Sequence, residues 1–186
     1  VNRTLQDIDS YIMTRPDSAL TVLEGMSRDV LRTERQRAHH ALLYAMALDK
    51  NYIDVSEDSI ASVAVNYYSR KGPMKYRARA YYYLGLAYYY QQDYDRAILE
   101  FTKAEKAAEV SDSLYLGMTK SIQGHSYYET HNLEEVLNCF HKAYDIYSAL
   151  SEYSKACSVM YKLNSTYIAK LEFEKAEEML LDLLDN

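Results

Sequence analysis

Tyr81-Tyr82-Tyr83-Leu84-Gly85-Leu86-Ala87-Tyr88 sets Tyr81, Leu84 and Tyr88 at i, i+3 and i+7, the spacing of one helix face. The stretch also recurs. Gly85 has counterparts in Ala45, Gly124 and Asn164, at steps of 40, 39 and 40 residues. Tyr88, Tyr127 and Tyr167 keep the same register, and so do Ala97, Val136 and Ala176 downstream. Phe101, Phe140 and Leu180 form a fourth column. Independent columns in one register mean an internal repeat, and each unit carries two helical stripes: Ala97, Phe101 and Ala104 continue at i, i+4, i+7 after a short break at Gln91-Gln92-Asp93. Helices joined by so short a turn lie antiparallel, and neither can bury its stripe alone.

Tyr81, Leu84, Gly85, Tyr88, Ala97, Phe101 and Ala104 resemble seven of the eight signature positions of a tetratricopeptide repeat (TPR), with Glu109 where the family usually has proline. The next unit keeps Gly124, Tyr127, Phe140 and Ala143, and the one after keeps Leu163, Tyr167 and Ala176. The resemblance implies an all-α fold, an α-α superhelix or solenoid of about five antiparallel helix pairs. It departs from the family in period, 39–40 residues against the usual 34. The added residues are expected in the second helices and the links after them, around 107–112 and 146–151.

The expected pairs are 3–25, 33–72, 73–109, 112–150 and 152–184, forming a single array over 1–186. Pro16 at a first turn and Gly25 after a last turn bound the second helix. Thr33 to Gln36 has capping-box spacing, as does Asn132 to Glu135, and Asp93 is placed as an N-cap. The chain begins Val1-Asn2, and Met179, Leu180, Leu181, Leu183 and Leu184 put apolar side chains on more than one face of the last helix. Both features lead us to expect part of a longer chain, or an end that pairs with another copy. Pro16–Leu20, Ala41–Asn51 and the Tyr-rich third pair further resemble envelope-associated TPR sensor, regulator and lipoprotein-like chains of Bacteroidetes bacteria. That resemblance implies an extracytoplasmic place in the periplasm or cell envelope.

Composition narrows the function class. Gly (5) and Pro (2) are scarce while Tyr reaches 21, which suits a thin helical fold whose rings lie near a surface. A net charge of −6 argues against direct nucleic-acid binding, and no apolar run is long enough to insert in a membrane. Cys139 and Cys157 are too few for a disulfide framework or a four-ligand zinc site and read as small buried hydrophobes. Adjacent His39 and His40 point about 100° apart on a helix, the wrong geometry for a shared metal. His125, His131 and His141 read as surface or interface histidines. No nucleophile motif or phosphate loop is present. No catalytic residue, metal or cofactor is expected, and the chain reads as a non-enzyme. Arg70, Lys71, Lys75, Arg77 and Arg79, with Tyr76 among them, form a basic run that reads as solvated charge or as a phosphate or carboxylate partner site.

The expected partner is a protein or peptide, held in a groove that the family lines with the first helix of each pair. Carrying those positions over yields His39, Leu42 and Met46, then Arg79, Tyr82, Leu86, Tyr89 and Tyr90. Met118, Ser121, His125 and Tyr128 follow, and then Tyr161 and Ser165. Such a surface is aromatic and mildly polar, with Arg79 able to anchor a carboxylate; alternatively the tyrosines pack between helices. The Lys, Asn and Arg with which chaperone-tail binders clamp acidic termini are replaced here by Tyr82 with Leu86, Ser121 with His125, and Tyr161 with Ser165. Two other readings stand beside the peptide groove: self-association as a homodimer through the last helix, and small-molecule sensing.

Overall fold

The computed structural model describes the backbone of residues 1–109 and 111–185 and side chains through Leu181. Among the described residues there are ten α-helices, one 3-10 turn at Arg28–Val30 and no strand. The helices are α1 (Asn2–Tyr11), α2 (Pro16–Glu24), α3 (Glu34–Lys50), α4 (Asp58–Tyr68), α5 (Met74–Tyr90), α6 (Tyr94–Ala108), α7 (Ser113–Glu129), α8 (Leu133–Ala149), α9 (Tyr153–Ala169) and α10 (Phe173–Asp185).

The starts follow their local signals. Thr33 accepts from the Gln36 amide while the Gln36 side chain accepts from the Thr33 amide, a complete capping box. Asp93 and Asn132 cap α6 and α8 through the amides of Arg96 and Glu135. Pro16 opens α2, where its missing N–H costs nothing. The added length is not confined to second helices. α3, α5, α7 and α9 all have 17 residues, whereas α6 has 15 and α8 has 17. First helices therefore share the extension.

Five connections reuse one device. Tyr52, Gln92, His131, Ser151 and Leu171 all adopt φ between 57° and 61° directly after a helix. The next amide in each case reaches back to a carbonyl five residues earlier, as in Asp93 N–H to Tyr88 O at 2.9 Å. This is the Schellman closure, which ordinarily favours glycine at the left-handed position. None of the five is glycine.

The chain divides into two compact units, 1–111 and 112–186. In the first, α3 packs with α1, α2, α4 and α5, and α5 with α4 and α6. In the second, α7 packs on α8, α8 on α9 and α9 on α10. Both use one close-approach element. A Cβ added to Gly85 would lie 2.7 Å from the Phe101 ring, and one on Gly124 would lie 2.6 Å from the Phe140 ring. Both rings are buried. The glycine lets the helix pair close to the distance at which the phenylalanine fills the space between them. Leu180 and Leu181 on α10 are exposed, and Leu183 and Leu184 fall outside the described side chains. Cys139 is buried, but Cys157 is exposed on α9, contrary to its reading as a core residue.

Candidate functional site

The expected groove residues separate sharply by burial. On α3, Leu42 and Met46 are core residues, and His39 is buried with Nδ1 3.0 Å from the Tyr68 hydroxyl. On α5, Tyr82 and Leu86 are buried; Tyr82 meets the edge of Tyr83 at 5.0 Å and leans on Phe101 at 6.1 Å. Tyr89 is half-buried between the edges of Tyr90 and Tyr94, and Tyr90 itself is exposed. Arg79 is half-buried and donates to Asp9 at 3.2 Å.

In the second unit Met118 is buried, Ser121 is half-buried and Tyr128 is exposed. His125 is half-buried with its ring edge on Phe140 at 5.3 Å. Burial, helped by the Lys162 charge, lowers its pKa to about 4. Tyr161 is 73% exposed, and Ser165, also exposed, donates to the Tyr161 carbonyl. Tyr153, Cys157, Tyr161, Ser165 and Ile168 make a continuous exposed strip along α9, with Tyr153 at 70%. The strip is mostly aromatic or apolar, which is unusual for a helix face left in water. The family resemblance implies two of its members, Tyr161 and Ser165, as groove residues. Of the others, Cys157 is expected in the core from sequence, and Tyr153 and Ile168 lie at i+4 and i+3 steps from the strip's members.

A second feature lies in the first unit, where a cavity of about 270 Å³ opens between α1, α3, α4, α5 and the Gly72-Pro73 link. Arg35, Gln36 and His39 come from the first turns of α3, Tyr67 and Tyr68 from the end of α4, and Tyr76 from the first turn of α5. Asn2, Leu5 and Gln6 come from α1. Under it runs a polar network. Asp9 accepts from the Tyr76 hydroxyl at 2.8 Å and from Arg79, with Lys75 3.8 Å away. Tyr76 meets His39 edge-on at 4.8 Å and lies 5.3 Å from Tyr68. Burial, followed by the hydrogen bond to Asp9, pushes the Tyr76 phenol up to about 12, and burial likewise raises Tyr68.

The basic run at 70–79 is largely absorbed into structure. Arg70 pairs with Glu34, Arg77 donates to the Tyr68 carbonyl at 2.8 Å, and Lys75 and Arg79 share Asp9. Sequence reading singles out His39 and Arg79 but not the cavity that His39 lines. The available signal was the i, i+4 step from Arg35 to His39, which puts both on one helix face.

Among the described residues no cluster of His, Cys, Asp and Glu is arranged to hold a metal, and no helix is long and apolar enough to cross a membrane.

The tetratricopeptide repeat family profile matches residues 78–109. No curated protein sequence matches the chain. Solved structures with the same fold include nearly identical TPR-like repeats of a Podosopora anserina protein described as a kinesin light chain. Those repeats are 16% identical with TM-score 0.67, the match covering 96% of this chain and 90% of that one. BtubC (BKLC) from P. vanneervenii is 14% identical with TM-score 0.66, over 91% of this chain and 70% of that chain. A Rap protein complexed with competence and sporulation factor is 17% identical with TM-score 0.72; the match takes in 99% of this chain but 53% of the Rap chain. Residues 78–109 are a tetratricopeptide repeat, and the chain as a whole has the all-helical TPR-like repeat fold.

Proposed function

We propose that this chain is a non-catalytic scaffold that binds a protein or peptide, and that it is the recognition region of a larger bacterial envelope or regulatory protein. The TPR fold is typically a non-catalytic scaffold for protein interactions. The observation that carries the reading is the α9 strip, where Tyr153, Tyr161 and Ile168 stand in water on one face of a rigid helix. Tyrosines suit this use because a large ring contributes contact area with only two torsions to immobilise, and its hydroxyl stays hydrated or finds a partner. A rigid helix face with aromatic anchors accepts an extended or helical segment without chemistry. The Rap protein of the same fold, solved with competence and sporulation factor, supports a regulatory, partner-binding reading.

Peptide selection from a random display library against the full chain, followed by calorimetry, tests this. The expected result is binding that Tyr161→Ala weakens about tenfold or more, as at an interface anchor. Selected peptides that bind Tyr161→Ala and Tyr153→Ala as tightly as the parent overturn the α9 surface. Thermal shifts with metabolites alone, and no selected peptide, overturn the peptide reading.

The alternative of self-association draws on exposed Leu180 and Leu181 of α10. Light scattering across concentrations separates the two: a scattering mass that rises with concentration in the parent and not in Leu180→Lys/Leu181→Lys favours self-association.

A further inference from the structure

We propose that the cleft between α1, α3, α4 and α5 is a binding site for an oxyanion, a carboxylate or phosphate group, held by Arg35 and His39. This site shares no residue with the α9 strip.

Four observations lead to it. The cavity, about 270 Å³, holds a small anion with accompanying water, and no Asp or Glu lines it. Asp9, beneath the cleft, is already engaged by Arg79, Lys75 and Tyr76, and Glu34, next to Arg35 in the chain, pairs with Arg70. Arg35 is exposed and forms no ion pair among the described residues, unlike Arg70 and Arg79. An unpaired guanidinium at the mouth of a carboxylate-free cleft is a planar donor matched to an oxyanion. The remaining lining groups include amide and hydroxyl donors, from Asn2, Gln6 and Tyr67, and the first turns of α3 and α5 add the positive ends of two helix dipoles.

His39 gives the site a pH dependence. Its Nδ1 is engaged with Tyr68, while Nε2 has no hydrogen-bond partner among the described residues. Burial chiefly keeps the ring neutral; Asp9 of α1 opposes this, and Arg35, Lys75 and Arg79 add to it. Tyr68 and Tyr67 of α4 and Tyr76 of α5 complete its surroundings. An anion in the cleft compensates those cations, so the ring takes one proton from solvent. Nδ1–H then donates to the Tyr68 oxygen and Nε2–H to the anion. Because the anion favours the protonated ring, affinity rises as pH falls.

The test is an NMR titration of the full chain, following the His39 ring and Arg35 Nε–H signals at constant ionic strength. Sulfate is the probe for pH dependence, since it stays fully ionised, and inorganic phosphate and succinate are compared at pH 7. The expected result is a saturable shift that tightens at least about threefold between pH 7.5 and 6, and weakens about tenfold in Arg35→Gln. Arg70→Gln, in a neighbouring but paired cation, leaves it unchanged. Phosphate tighter than succinate assigns a phosphoryl ligand; the reverse assigns a carboxylate. No saturation by about 50 mM, an equal shift with chloride, or an unchanged shift in Arg35→Gln overturns the proposal. Because Arg35 is exposed, its replacement leaves the fold intact, which the amide spectrum checks.

Discussion

Equivalent repeat positions have opposite fates in the two units. Tyr82 on α5 and Tyr161 on α9 are two repeats apart, as are Leu86 and Ser165. Tyr82 and Leu86 are buried, while Tyr161 and Ser165 face water. α5 packs against α3, α4 and α6, whereas α9 packs against α8 and α10. The first unit is further tied across long sequence distances by Asp9 with Arg79, Tyr76 with Asp9, His39 with Tyr68, and Gln91 with the Ser56 carbonyl. In the second unit the corresponding ties are Lys170 with Glu134, His141 with Tyr167 and Asn164 with the Ala176 carbonyl. One signature therefore serves two purposes: packing in the first unit, and an exposed aromatic face in the second. A repeat position specifies a place on a helix, while neighbouring helices determine whether that place meets water.

The largest effect should be common to both units. Phe101→Ala and Phe140→Ala each remove a buried ring seated on a glycine, at a cost of about 4 kcal/mol in urea unfolding of the full chain. A small loss in one of the pair breaks the idea that the Gly–Phe element is shared. Next, Tyr82→Ser should cost about 3 kcal/mol and Tyr161→Ser less than about 0.5 kcal/mol. Equal losses erase the contrast.

Acid should expose a further term in the second unit. The folded pKa of His125 is about 4, below the ordinary 6.5, so the unfolded chain binds more protons between those values. Its stabilising contribution is full above pH 6.5 and is lost as pH falls toward 4. Allowing for solvent around the half-buried ring, this amounts to about 1 kcal/mol between pH 7 and 5. In His125→Gln that part of the pH slope should vanish. The smallest effect is a gain. Gln92→Gly in the first unit and Leu171→Gly in the second each relieve a left-handed residue, raising stability by about 0.5 kcal/mol in thermal melts.

Most of the helices were legible from local chemistry. Pro16, the Thr33–Gln36 box, Asp93 and Asn132 mark starts because caps act over three residues, which sequence displays directly. The cleft was not legible, because its walls come from residues 2 to 76 on four helices and a link. Cys157 was misread for a related reason: helical period places it on a face without saying whether that face is covered.

The amino-acid order alone determined that the chain is helical, that its unit is 39–40 residues, and that Gly85 and Gly124, like Phe101 and Phe140, fall at the same place in successive units. Those properties depend on periodicity and on pairings within one repeat. Packing between repeats set the rest: which tyrosines became core, which became the α9 strip, and where Arg35 stands without a counter-charge among the described residues. Tyrosine is apolar enough to be buried and polar enough to be wet, so neighbours settle its place. Asp9 and Arg79, 70 residues apart, meet because α1 and α5 both pack on α3.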